Sequence, residues 1–119
     1  MNKEKILAQS PLSIEEIELI DSTLLTKIER HKLRILAHFL ATFKLMANGV
    51  SKGPLPKNNQ RLEWLIKQPS LMQNQDFIYI LLDEFQKTGY QLEYLAEKLN
   101  ISPLELCLND LIQNSIQSK

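Results

Sequence analysis

The sequence predicts an all-α protein, an irregular bundle of five or six helices around one long central helix at about residues 26–47. Apolar residues recur at spacings of three and four through most of the chain, which is typical of amphipathic helices. Three capping boxes, each a Ser or Thr followed three residues later by Glu, indicate helix starts. They are Ser13/Glu16, Thr26/Glu29 and Ser102/Glu105. We expect one domain spanning residues 1–119, with a possible hinge in the loop 49–59.

Composition places limits on the class of protein. The chain of 119 residues is long enough for one domain with a hydrophobic core, and 44% of its residues are hydrophobic. It has no apolar run long enough to span a membrane, and its first residues lack the apolar centre of a signal peptide. Its one cysteine, Cys107, cannot form an internal disulfide. The sequence therefore predicts a cytoplasmic protein that does not contact a membrane.

The charges are sorted along the chain although the net charge is zero. Residues 1–25 carry a net charge of −3, residues 26–69 carry +7 and residues 70–119 carry −4. A basic middle segment can form an anion-binding face. Packing of the basic segment against the acidic ones explains the same pattern, and we favour it because isolated charge runs specify little.

The first half of the chain shows two helix starts. A short helix is possible at 2–9, and a second should begin at Ile14, with Leu12 and Ile17 in the positions of a hydrophobic staple. The polar run at 21–23 indicates a bend near 22–25 and a new helix from Lys27. One unbroken helix over 14–47 is the alternative.

The central helix has two different halves. In the first half, polar side chains lie on one side of the helix, and apolar side chains that should face the core lie on the other. The predicted inward residues are Ile28, Leu33, Ile35 and Leu36. The second half is apolar on nearly every side, which predicts burial at the centre of the bundle or in a homodimer interface. Gly49 then provides the residue that most easily adopts a left-handed conformation at the helix end.

The second half of the chain predicts four further helices. Leu62, Trp64, Leu65 and Ile66 form the apolar side of a helix at 60–68. Asp76 should cap a helix that ends at Gly89, and a separate helix should follow at 91–99. Pro103 starts the last helix, whose buried residues are predicted to be Leu104, Cys107, Leu108, Leu111 and Ile112.

Residues 91–116 resemble the helix-turn-helix of bacterial regulators. Ala96 matches the small residue that lets the two helices approach, and Ile101 matches the aliphatic residue of the turn. The resemblance implies a tri-helical C-terminal unit that could read DNA. The second helix, however, carries Glu105 and Asp110 and no Lys or Arg, and acids are repelled by the duplex. We interpret the motif as a structural turn between helices, a degenerate helix-turn-helix.

A cationic row on the central helix is the candidate site for an anion or a protein partner: Arg30, His31, Arg34 and His38. Spacings of three and four place these side chains on one side of the helix. The alternative is that the arginines pair with acids of the flanking segments and that His38 is half-buried. His31 and His38 lie roughly 10 Å apart along the axis, too far to chelate one metal ion by themselves.

Four aromatic residues of the second half are a weaker indication of a binding surface: Trp64, Tyr79, Tyr90 and Tyr94. Joint exposure of Trp64 and Tyr94 would indicate a protein-binding patch. The ordinary explanation is that they close the core with their polar tips in water.

The sequence favours a small non-enzymatic protein that acts as an adaptor or regulator through protein–protein contacts, with self-association as a homodimer. It contains no phosphate-binding loop, nucleophile elbow or paired metal ligands, so we expect no catalytic residues, no metal and no cofactor. The alternative is a nucleic-acid-binding regulator that uses the basic segment 26–67 and the motif at 91–116. A small-molecule sensor with a pocket beside His38 is a third hypothesis.

Overall fold

The computed structural model describes residues 12–69 and 74–117, and within these ranges it contains five α-helices and no strand. The helices are α1 (Ile14–Asp21), α2 (Lys27–Met46), α3 (Asn58–Ile66), α4 (Gln75–Leu99) and α5 (Leu108–Gln117). A single turn of 3₁₀-helix, Pro103–Glu105, lies between α4 and α5. The all-α bundle is confirmed. The short helix predicted at 2–9 lies outside the described residues.

The bend between α1 and α2 is confirmed, and the unbroken helix over 14–47 is wrong. Both predicted capping boxes form, at Ser13/Glu16 and at Thr26/Glu29. The Thr23 hydroxyl donates to the Ile20 carbonyl at 2.8 Å, which satisfies a carbonyl at the end of α1. Such side-chain bonds compete with the next helical turn, so the chain stops and restarts.

Helix α2 is the centre of the bundle, since it contacts each of the other four helices. Its buried residues are Leu33, Ala37, Phe39, Leu40, Phe43 and Met46. The Phe85 ring of α4 meets the rings of Phe39 and Phe43 edge-on, with centroids 4.7 and 5.2 Å apart. The chain leaves α2 through two left-handed residues, Asn48 and Gly49.

Two apolar residues of α2 are more exposed than the sequence predicted. Ile28 was predicted to face inward but is exposed, because the first turn of α2 extends past the core. Leu45 is also exposed, so the second half of α2 is buried on most sides but not all round. On α3, Ile66 is exposed as well, whereas Leu65 is buried as predicted.

Helix α4 joins two helices that the sequence predicted as separate. Gly89 does not end a helix but lies buried inside a helix of 25 residues. A Cβ on Gly89 would lie 3.3 Å from Nη2 of Arg61 and 3.6 Å from Cζ of Phe43. Glycine therefore leaves room for the Arg61 guanidinium, while the distance to the Phe43 ring is that of an ordinary van der Waals contact. The N-cap is Asn74 rather than Asp76, with Oδ1 of Asn74 accepting from the Phe77 amide at 3.2 Å.

The C-terminal segment differs from the predicted single helix after Ser102. Asn100 takes the left-handed conformation that ends α4, and the Ser102/Glu105 capping box forms. This capping box starts only the 3₁₀ turn. Helix α5 begins at Leu108, and the amide of the preceding residue, Cys107, donates to the Asp110 carboxylate at 2.9 Å. The prediction that Cys107 is buried is wrong, because this restart turns its thiol to solvent.

The loop 49–59 is fastened to the turn that follows α4. The Gly53 amide donates to Oγ of Ser102 at 2.9 Å, and the Gly53 carbonyl accepts from the Leu104 amide at 3.1 Å. The Leu55 side chain is buried in the core. A hinge here stays a prediction, and its movement would require breaking both hydrogen bonds.

Candidate protein-interaction surface

The two arginines of the predicted cationic row face the end of α1. Nη2 of Arg34 donates to both carboxylate oxygens of Asp21, at 2.8 and 3.0 Å, and Nη1 of Arg30 donates to the Asp21 carbonyl at 3.1 Å. The ion pair is solvent-exposed, so it contributes about 0.2–1 kcal/mol. Both arginines thus already join the basic α2 to the acidic α1.

The two histidines of the row have different environments. His31 is exposed, whereas His38 is half-buried. Nδ1 of His38 is buried and has no hydrogen-bond partner in the ranges 12–69 and 74–117. Burial lowers the pKa of the His38 imidazole below its ordinary value, and the nearby positive charge of Arg34 lowers it further. His38 is therefore held in its neutral form within the bundle.

The lowered pKa of His38 makes folding sensitive to mild acid. The unfolded chain binds a proton on this ring near pH 6.5, whereas the folded protein binds it only at lower pH. The free energy of unfolding should therefore decrease as the pH falls below about 6.5. His38→Gln should remove this part of the dependence in urea unfolding measured between pH 7 and pH 5. His31→Gln, at the exposed position, is the matched control, and equal acid sensitivity in wild type and His38→Gln would contradict the expectation.

Helix α4 exposes three tyrosines along its outer side. Tyr79, Tyr90 and Tyr94 have exposed fractions of 65%, 63% and 67%. At 100° per residue they lie within an arc of about 60°, and the distance from the first to the last is roughly 22 Å along the axis. We call this surface the tyrosine face. Trp64, by contrast, packs half-buried against the core.

Charged and polar side chains surround the tyrosines. The Gln86 amide donates to the Tyr90 hydroxyl at 3.2 Å, and Nζ of Lys98 lies 5.8 Å from the centroid of the Tyr94 ring. Lys87 pairs with Asp83 at 3.0 Å. Helix α4 has five acidic residues and two lysines, a net charge of −3. The tyrosine face is therefore aromatic and acidic.

A buried arginine lies beside the tyrosine face, and sequence reasoning did not single it out. Arg61 of α3 is only 9% exposed. Its Nε donates to the Pro56 carbonyl at 2.7 Å, and its Cζ lies 4.9 Å from the centroid of the Phe43 ring. Burial lowers the pKa of the guanidinium, and the negative charge of Glu93 opposes that shift. Because Gly89 reads as a helix end in sequence, the sequence carries no signal for the arginine that packs beside it.

A cleft of about 350 Å³ separates the start of α3 from the tyrosine face. Its lining residues are Lys57, Asn58, Arg61, Gln86, Tyr90 and Glu93. Charged and amide groups of both helices meet here, so a molecule in the cleft would contact mainly polar groups. Tyr90 borders both the cleft and the tyrosine face.

Residues 12–69 and 74–117 contain neither a metal-binding cluster nor a membrane-spanning helix. Within these ranges no group of three or more His, Cys, Asp or Glu side chains could hold a metal ion. The same part of the chain contains no helix with the length and hydropathy needed to cross a membrane. What stands out in these ranges is the aromatic surface of α4.

Fold and surface together define a small all-α protein with an exposed aromatic surface. Residues 12–119 match the family described as NDH complex assembly factor CRR9, and the chain belongs to this family. No curated protein and no solved structure matches the chain.

Proposed function

We propose that the protein is a non-enzymatic assembly factor for the NDH complex and that it acts through contacts with the proteins of that complex. The observation that carries the proposal is family membership over residues 12–119. The exposed tyrosines of α4 support a role in protein contacts, because tyrosine is enriched where binding energy is concentrated.

The surroundings of the cationic row favour this proposal over nucleic-acid binding. Arg30 and Arg34 both contact Asp21, so a phosphate backbone would have to displace an intramolecular partner. The acidic residues of α4 would also repel a nucleic acid. Contact with a protein partner requires neither the displacement of Asp21 nor the approach of a polyanion to α4.

The test is removal of the protein from cells that contain the NDH complex. We expect the assembled complex, measured on native gels, to fall sharply, while the individual subunits are still synthesised. Re-expression of the full chain should restore assembly. As an assembly factor, the protein should comigrate with incomplete assemblies and be missing from the finished complex. Normal amounts of assembled complex in cells without the protein would refute the proposal, as would its presence as a fixed component of the finished complex.

A further inference from the structure

We propose that the tyrosine face of α4 is the docking surface of this protein and that its occupant is a basic, arginine-containing segment of an NDH-complex protein. This inference rests on the proposed function, since it names the surface and the chemistry of the partner. Two observations on α4 support it independently: the arrangement of its exposed tyrosines and the excess of acidic residues around them.

The arrangement of the tyrosines is not required by the fold. The opposite side of α4 supplies the core, with residues such as Phe85 and Leu92 almost fully buried. Tyr79, Tyr90 and Tyr94 keep about two-thirds of their surface exposed and do not belong to the core cluster. Their rings form a row of roughly 22 Å, the length of about four helical turns. A partner segment of that length could contact all three rings.

The charges specify the partner further. The acids of α4 outnumber its lysines by three, and one of the two lysines, Lys87, is already paired with Asp83. Glu97 lies on the same side as the tyrosines, about one helical turn from Tyr94 and two turns from Tyr90. A basic segment complements this surface, whereas an acidic segment is repelled by it.

Arginine suits the tyrosine face better than lysine does. A guanidinium group stacks on an aromatic ring and can also donate two hydrogen bonds to a carboxylate. Lys98 already places a cation 5.8 Å from the Tyr94 ring, which shows that the ring is open to a positive group. Arginine side chains of a partner could therefore contact the rings and the neighbouring carboxylates together.

Another exposed apolar region, at the junction of α1 and α2, shows no feature that specifies a partner. Leu24 is 98% exposed and Ile28 is also exposed, at the junction of α1 and α2. No row of aromatic rings and no excess of one charge at this junction defines what would cover it. This region therefore provides a control surface, because its side chains are apolar, exposed and remote in sequence from α4.

The experiment measures binding of the full-length chain to each NDH-complex subunit, produced separately and immobilised. The triple variant Tyr79→Ser/Tyr90→Ser/Tyr94→Ser should bind the recognised subunit roughly 100-fold more weakly, as expected for the loss of an aromatic hot spot. Asp83→Lys/Glu97→Lys should weaken binding by about 10-fold and make it less dependent on salt. Leu24→Ser/Ile28→Ser is the matched control and should bind like the wild type. Circular dichroism and thermal unfolding verify that each variant is folded.

The outcomes separate this inference from the proposed function. If loss of the protein abolishes NDH assembly but the triple tyrosine variant binds and restores assembly normally, the docking surface is wrong and the proposed function stands. If the recognised segment is acidic, or if the charge reversals strengthen binding, the partner chemistry is wrong. Sedimentation adds one more outcome: a wild-type dimer that the tyrosine substitutions convert to a monomer, with assembly unaffected, would assign the surface to a second copy instead.

Discussion

Phe43→Ala is expected to lower the free energy of unfolding by about 3–5 kcal/mol, the range for deleting a fully buried phenylalanine. The Phe43 side chain is 0% exposed and lies at the point where three helices meet. Its ring contacts Phe85 of α4 edge-on and carries the guanidinium of Arg61 of α3 over it. Alanine would leave a cavity between α2, α3 and α4, and it would also remove the aromatic surface under a buried charge.

Urea unfolding followed by circular dichroism measures this effect. Leu45→Ala is the matched control, because Leu45 lies two residues further along α2 but is half-exposed, and its loss should cost far less. A loss of under about 1 kcal/mol in Phe43→Ala would contradict the packing described for α2, since a cavity of that size cannot be neutral in a close-packed core.

Features that depend on local chemistry could be predicted from the sequence. The starts of α1 and α2 lie where their capping boxes place them, because the Ser or Thr hydroxyl and the Glu carboxylate satisfy amides within the same four residues. The bend between these helices and the left-handed Asn100 are equally local. No distant residue is needed to explain any of them.

Features that depend on distant residues could not be predicted in the same way. Gly89 reads as a helix end in sequence, yet α4 continues through it, and the neighbour that makes a side chain tight at this position is Arg61, which is distant in sequence. The exposure of Cys107 has a different and local cause: Asp110, three residues further on, accepts from the Cys107 amide, and α5 begins at Leu108 rather than at Pro103. The Gly89 difference therefore arises from distant contacts, whereas the Cys107 difference arises from a side-chain hydrogen bond within one turn that apolar periodicity does not reveal.

The candidate surface likewise combines features that the sequence predicts with features that depend on distant contacts. The positions of Arg30 and Arg34 on one side of α2 follow from helical spacing, but their common contact, Asp21, depends on the angle at which α1 returns. That the tyrosines of α4 stay exposed follows from which side of α4 meets α2 and α3. The sequence drew attention to these aromatic residues without showing which of them face solvent.

Arg61→Lys should lower the free energy of unfolding by about 2 kcal/mol although it preserves the charge. Lysine lacks the Nε donor, so the Pro56 carbonyl would lose a hydrogen bond to a charged group, a contact that contributes about 1.5–3 kcal/mol. An ammonium group is also more strongly hydrated than a guanidinium and stacks less well on the Phe43 ring. The loss can be measured by urea unfolding at neutral pH.

Arg30→Lys is the matched control for this substitution. Arg30 also donates to a backbone carbonyl, that of Asp21, but the contact is solvent-exposed, so water can replace it at little cost. If Arg61→Lys proved as mild as Arg30→Lys, positive charge alone would be sufficient at position 61, and the Nε contact to Pro56 would have no energetic role. A large difference between the two variants would show that the shape of the guanidinium stabilises the junction of α3 and α4. Arg61 lies beside Gly89 and lines the same cleft as Tyr90. The same substitution should therefore also change the position of the Tyr90 side chain within the tyrosine face.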